Sequence, residues 1–332
     1  RRLPALARVL VLSARPDVHR VVGVLVQKAK RIVVDTAAAE IAVFMRPGIP
    51  LCNPRIGPGF GQIAILLVAF PVAYAILMPA FYLPVTLMLL GLVLRGVSFE
   101  FRWIAKTSKY LWNIAFAGGS MVAGFMQGII VGGMVSGVKV QGTQYAGGSF
   151  DWFTPFNLMC GFAMIAGYAL LGATWLMMKT EGEVAKHARK QAMIALYAVL
   201  FFMAVVSLWT PLEHARIAER WFTLPNFLFF WPVPLVTAVL SFLCWHWIRK
   251  GNDTMPFLCA IALFFMGYSG LVISNFPYLV PPTLDVWQTA AVPASQIFSL
   301  MGMLFMFPIL VGYTILNYWV FRGKLKEGEG YH

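Results

Sequence analysis

The stretch GGSMVAGFMQGIIVGGMVSG (residues 118–137) decides the fold. It forms most of an apolar segment, 112–136, that carries no charged residue. About 20 residues at a rise of ~1.5 Å each cross the hydrocarbon core of a bilayer, so the segment is long enough to span. Within it Ser120, Gly124, Gly128 and Gly132 recur every four residues. Such a seam of small residues lets two helices approach closely, either within this chain or against a partner.

Seven further segments have the same character, at 60–79, 82–101, 154–178, 190–210, 227–248, 255–275 and 296–320. The first two meet at a tight corner, MPAFYLP, where Pro79 and Pro84 are expected to mark helix ends. The whole chain agrees with this pattern: of its 332 residues 60% are hydrophobic and only 12% charged. Ordinary soluble domains carry about 25% charged residues. The fold class expected is therefore all-α, a polytopic membrane protein built as a helical bundle with about 8 transmembrane helices.

The net charge of +13 does not call for a nucleic-acid partner, because its distribution follows topology. Lys and Arg follow the second, fourth, sixth and eighth segments, at Arg102, Lys106 and Lys109, at Lys179 and Lys186, at Arg249 and Lys250, and at Arg322 and Lys324. The intervening loops are poorer in them, and 276–294 has none. With the basic side cytoplasmic, the C-terminus lies inside. Trp112, Trp152, Trp245, Trp247, Tyr318 and Trp319 lie near segment ends, as interfacial anchors do.

Few residues could carry chemistry. The histidines, His19, His187, His214, His246 and His332, lie in loops, tails or at a segment end, and no two face one another across helix interiors. The chain alone is therefore not expected to ligate haem. Cys52, Cys160, Cys244 and Cys259 show no metal-ligand spacing and no disulfide framework, so no metal site is expected. Glu100 is the single carboxylate within the eight segments, which argues against a stand-alone proton-coupled transporter. Gln127, Asn113, Asn157 and Asn317 read as helix–helix hydrogen-bonding groups. Arg95 lies about two turns inside the basic end of its segment, in LVLRGVSFEFRW (92–103). It either snorkels to the interface along its own stem or pairs with an anion. Glu100, five residues on, is off its face, since neighbours on a helix are three and four apart.

Five stretches resemble subunit II of the cytochrome bd-type quinol oxidases: AFPVAYAILMPAFYLP (69–84), GLVLRGVSFEFR (91–102), YAGGSFDWFTPFNLMCG (145–161), GYALLGATWLMMKTEG (167–182) and FPYLVPP (276–282). The C-terminal FRGKLKEGEGYH fits as well, and the compact loops are more similar to the cyanide-insensitive branch. The resemblance covers residues 67–332 and implies a heterodimer in a bacterial inner membrane. In that family the partner, subunit I, carries haem b and haem d, and the complex oxidises quinol and reduces O2 to water as a respiratory terminal oxidase. The family leaves open a structural quinone and a small accessory subunit, and membrane lipid is the remaining partner. By the same resemblance Arg95 acts electrostatically towards the haem region of the partner, and Glu100 as an interface or proton-path group. A transporter, or a purely structural membrane partner, is the alternative reading.

Residues 1–66 depart from the family. They are basic, with ten Lys/Arg against three acids in residues 1–58, and their arginines and prolines lack helical phase. The family has nine helices, and its first, ending in a motif like DGFDLG, is missing here, as is the following segment like WDGNETW. The chain also begins with Arg1 rather than Met. The region reads as a frameshifted or misassembled stretch, with divergence as the alternative. Asp17 and Asp35 do not stand in for the family's aspartates.

Overall fold

The computed structural model describes residues 66–105, 107–320 and 323. The expected boundary near residue 66, and everything read from residues 1–65, lies outside the described residues.

A short helix, α1 (Pro71–Ala80), turns at Phe81 into α2 (Tyr82–Ile104), and α3 (Lys109–Ser136) returns beside it. A hairpin, β1 (Val140–Gln141) and β2 (Gln144–Tyr145), leads to α4 (Pro155–Lys179) and α5 (Gly182–Glu213). Two short helices, α6 (Ala215–Phe222) and α7 (Asn226–Phe230), precede α8 (Pro232–Lys250) and α9 (Met255–Asn275). A second hairpin, β3 (Tyr278–Val280) and β4 (Leu284–Asp285), and the one-turn α10 (Val286–Thr289) lead into α11 (Pro293–Val320).

Seven helices among the described residues are long and apolar enough to cross a membrane: α2, α3, α4, α5, α7 running into α8, α9 and α11. The chain is an all-α, multi-pass membrane protein. The eighth expected segment, 60–79, is represented among the described residues by the helical residues 66–69 and, after a break at Phe70, by α1. Pro79 is the last residue but one of α1, and Pro84 sits in the first turn of α2, where a missing N–H costs nothing, so both prolines lie at helix ends. The corner falls between them, at Phe81. At its N-terminus α5 starts eight residues before the expected 190, adding two charged turns beyond the apolar run.

Local chemistry sets the helix ends. Thr154 caps α4, its hydroxyl accepting from the Asn157 N–H at 3.2 Å, with Pro155 at the first helical position. Gly137 and Gly251 stop α3 and α8 in positive φ, at +87° and +83°, which a side chain would strain. Asp285 and Gln288 form a reciprocal capping box on α10.

Among the described residues, two large buried apolar clusters and a smaller one at Val135, Phe156 and Ile217 hold the helices. Leu170, Met177, Ala192, Leu196, Cys244, Ile248, Ala260 and Leu263 join α4, α5, α8 and α9. Ile76, Leu77, Phe81, Ile129, Trp152 and Val280 join α1 and α3 to the hairpin side. The ends of α2, α4, α8 and α11 share one side of the bundle with the starts of α3, α5 and α9. That side carries Arg102, Lys109, Lys179, Lys186, Arg189, Lys190, Arg249 and Lys250 and is called the basic end below. Both hairpins, α6 and α7 lie at the opposite end.

Candidate functional site

Arg95 is placed by a glycine crossing between α2 and α3. A Cβ added to Gly91 would lie 2.6 Å from the Gly119 carbonyl, and one added to Gly119 would lie 2.6 Å from the Gly91 carbonyl. Neither helix can therefore carry a side chain there without separating the pair. The same Gly119 position is 3.1 Å from the Arg95 amide nitrogen, so the root of the Arg95 side chain rests against α3. From this root the guanidinium extends over the Phe116 ring, 5.9 Å from its centroid. Phe116 is one turn nearer the basic end than Gly119, so the arginine leans towards that end while staying half-buried. A cation over a ring contributes about 0.5–1 kcal/mol where exposed and about 2 where desolvated. On the same face Ser98 is fully buried and donates to the Leu94 carbonyl. Phe101 stacks on Trp112 at 5.1 Å, closing the α2–α3 seam at the basic end.

Glu100 does not join this arrangement. Five residues on, it points about 140° away around α2, and it is exposed. It shares the outward side of α2 with Val93, Val97 and Ile104, all exposed.

The small-residue seam of α3 lies against α4, within this chain. Cβ atoms added at Gly128 would lie 2.5 Å from the Cys160 carbonyl and 2.7 Å from the Gly161 Cα. At Gly132 the nearest atom is the Asn157 Cα at 3.0 Å, and at Gly124 the Tyr168 ring at 3.2 Å. Ser120 is buried, with its hydroxyl donating to the Phe116 carbonyl at 3.0 Å. Polar side chains lock the same seam: the Tyr168 hydroxyl donates to Gln127 Oε1 at 2.6 Å. Asn157, 2% exposed, donates to the Trp152 carbonyl at 2.8 Å and accepts from the Ser136 hydroxyl at 3.3 Å.

Sequence reasoning passed over three polar groupings. Arg216 and Arg220 of α6 lie over the Tyr278 and Phe276 rings, at 5.3 and 5.4 Å, at the end opposite the basic one. His214 packs edge-on against Phe156 at 5.9 Å. Burial, assisted by Arg216 and opposed by Glu213, holds its pKa below the usual value. At the basic end Arg189 ties α5 to the α8–α9 loop, donating to the Gly251 carbonyl at 3.1 Å and to Asp253 at 3.2 Å. The mixed charges of 211–226 and the run Lys186–Lys190 are the only marks these groupings leave in the sequence.

As a haem site the described residues fit poorly. His187 is exposed and bonded to its own helix through the Glu183 carbonyl. His246 is exposed beside the Phe242 and Trp247 rings. With His214 at the opposite end, the described residues bring no two histidines together.

Comparison with known proteins supplies the frame for this geometry. The profile of cytochrome bd terminal oxidase subunit II matches residues 62–321. The chain is 23% identical, over 80% of its length and 79% of the relative's, to cytochrome bd-I ubiquinol oxidase subunit 2 of Escherichia coli K12. It is 26% identical, over 79% and 78%, to cytochrome bd ubiquinol oxidase subunit 2 of Bacillus subtilis. To a probable cytochrome oxidase subunit 2 of Haemophilus influenzae it is 25% identical, over 77% of each chain. Its fold is shared with a chain of the bd oxidase from Geobacillus thermodenitrificans, with a TM-score of 0.63 at 12% identity, over 88% of this chain and 94% of that one. A family match over most of the length removes the transporter reading and makes the chain one subunit of an oxidoreductase complex. The chain belongs to the cytochrome bd terminal oxidase subunit II family.

Proposed function

We propose that this chain is the supporting subunit of a quinol:O2 oxidoreductase, and that Arg95 sets the electrostatics of the haem region in the partner subunit. The overall chemistry is the oxidation of two quinols and the reduction of one O2 to two waters, with haem b and haem d, ligated mainly by subunit I, supplying the electron path. This chain's part is to dock, to exclude lipid and to place charge. The membrane domain runs from 67 to 332, its basic end and C-terminus on the cytoplasmic side of a bacterial inner membrane.

The observation that carries the reading is a cation fixed inside a helix pair whose outward side is bare. The Gly91–Gly119 crossing and the Phe116 ring hold Arg95 at a set depth. The outward side of α2 is exposed and apolar, and none of α11 is buried. Subunit I docks on these two surfaces, with Glu100 on the contact side as an interface or proton-path group. A haem propionate within reach would accept a charge-assisted bond from the guanidinium.

The test is Arg95→Gln in the assembled complex, read by the reduced-minus-oxidised visible spectrum and quinol-dependent O2 uptake. Shifted haem bands and slower uptake, with both subunits still co-purifying, are expected. An unchanged spectrum in an intact complex would overturn the haem-facing role and leave Arg95 as a snorkelling side chain.

A further inference from the structure

Two adjacent cations at the basic end have different fates. Arg189 turns inward to Gly251 and Asp253, while Lys190, the next residue, is exposed. Lys190 lies on the same face of α5 as Tyr197, two turns deeper, and Phe201, one turn deeper still. On α8 the matching face carries Arg249, Trp245 and Phe242, spaced four and three residues apart. The two faces are clipped together by one bond, from Trp245 Nε1 to the Tyr197 hydroxyl at 3.1 Å. The Arg249 guanidinium lies 4.3 Å from the centroid of the Trp245 ring, and the Phe242 ring follows Trp245 at 5.8 Å. Phe201 and Phe242 are 60% and 62% exposed, so the two faces that form the groove below the clip present accessible aromatic rings. At its mouth neither Lys190 nor Arg249 makes an ion pair with a carboxylate among the described residues.

Topology accounts for the presence of cations at this end but not for this arrangement. Arg249 lies over a ring at the mouth of an apolar groove, with a second cation, Lys190, at the same end of α5. We propose that the α5–α8 groove is a binding site for an anionic phospholipid, its phosphate between Lys190 and Arg249 and its acyl chains along Tyr197, Phe201, Phe242 and Trp245. The charges face the headgroup layer, the aromatic faces lie at acyl depth, and the Trp245–Tyr197 bond sits at the boundary between the two.

The test uses the assembled oxidase in phosphatidylcholine nanodiscs containing a small fraction of photoactivatable phosphatidylglycerol, with crosslinked peptides mapped by mass spectrometry. Labelling of the α5 and α8 peptides around Phe201 and Phe242 is expected with this probe and not with its phosphatidylcholine counterpart. Each of Lys190→Gln and Arg249→Gln should weaken it about fivefold, the contribution of one cation near an anionic headgroup. Arg249→Lys, which keeps the charge, should retain most of it and serves where the glutamine variant fails to assemble. Excess inorganic phosphate should not compete, because a free anion lacks the chains that the groove holds. Equal labelling of the wild-type complex by both lipid probes would overturn the proposal. So would labelling that survives removal of both charges, or displacement by inorganic phosphate alone.

Discussion

Two helices of this chain, α3 and α11, are each 28 residues long and have mean hydropathies of 1.7 and 1.9 over their most apolar stretch. By length and apolarity they are near twins, yet α3 is buried between two neighbours and α11 has no buried residue. The hydrophobic effect cannot make this difference, because lipid tails are as apolar as a leucine and do not drive helices together. What differs is side-chain volume in register. α3 presents Gly119 to α2 and Gly124, Gly128 and Gly132 to α4, and in each case the neighbouring backbone or ring fills the space that a side chain would need. Gly302 and Gly312 of α11 have nothing within 4 Å of an added Cβ. Packing in this bundle therefore follows small residues, and α11, which meets α4 through the Tyr318–Trp175 ring contact at 5.7 Å, leaves its remaining surface available to another chain.

The largest expected effect is at the tightest crossing. Gly128→Leu places a branched side chain where the Cys160 carbonyl and the Gly161 Cα already lie, and backbone atoms cannot step aside as a flexible side chain would. Overpacking a core costs about 1–3 kcal/mol, more when the obstacle is backbone. We expect the variant to lose most of the assembled complex, measured as recovery of both subunits after solubilisation. Recovery equal to wild type would mean that glycine volume does not hold α3 in place.

A smaller loss is expected from Asn157→Ala, which removes the polar hem of the same seam. The Trp152 carbonyl and the Ser136 hydroxyl would each lose a partner in a buried setting, at a cost of about 1–3 kcal/mol. Asn157→Asp should be no better, because a carboxylate cannot donate to the Trp152 carbonyl. Thermal unfolding of the complex in detergent reads both variants. A melting temperature unchanged by the alanine would show that the seam is closed by shape alone.

These two residues also show how far the sequence is legible. The spans could be placed because each is a long apolar run ended by charge or proline, with Arg95 and Glu100 of α2 as the charges inside one. The α3–α4 seam could be seen because its small residues repeat at the helix period. The Gly91–Gly119 crossing left no such trace, since one glycine on each of two helices has no period. Phe116, which sits under Arg95, escaped for a different reason: a partner for a buried cation was sought among anions, and an aromatic face carries no formal charge. α6 was hidden in a mixed-charge loop because eight residues make too little amphipathic pattern to stand out. The break at Phe70, between the helical residues 66–69 and α1, was not visible at all, since hydropathy does not show where within an apolar run a helix is interrupted.

A weaker effect again is expected where the far end of α3 meets α4 and α6. There Val135, Phe156 and Ile217 form a buried cluster, and His214 lies edge-on to Phe156. Burial first, with Arg216 adding and Glu213 opposing, depresses the pKa of His214, so the folded protein holds it neutral at pH 7. In the unfolded chain it would titrate at about 6.5. Its stabilising effect is therefore fully present above that value and is lost as pH falls through the lower, folded pKa. Between pH 7 and pH 5 the melting temperature of the wild-type complex should fall more steeply than that of His214→Gln. Parallel pH profiles would show that the imidazole is not held neutral by the fold.

The smallest effect on this chain's own stability is expected from Gly302→Leu, and that prediction bears hardest on the comparison. The substitution is the same as at Gly128, on a helix of the same length and similar hydropathy, but the added side chain meets open space. Unfolding of the subunit purified alone should be unchanged within error, while the equivalent change at Gly128 lowers it sharply. Any cost should appear only on assembly, as reduced recovery of the partner subunit, if that partner brings a helix against α11. A drop in the isolated subunit would mean that α11 packs on its own chain and that its bare surface is no docking face. A loss confined to the complex would place the partner within a side chain's reach of Gly302, since a leucine there obstructs only what approaches from outside.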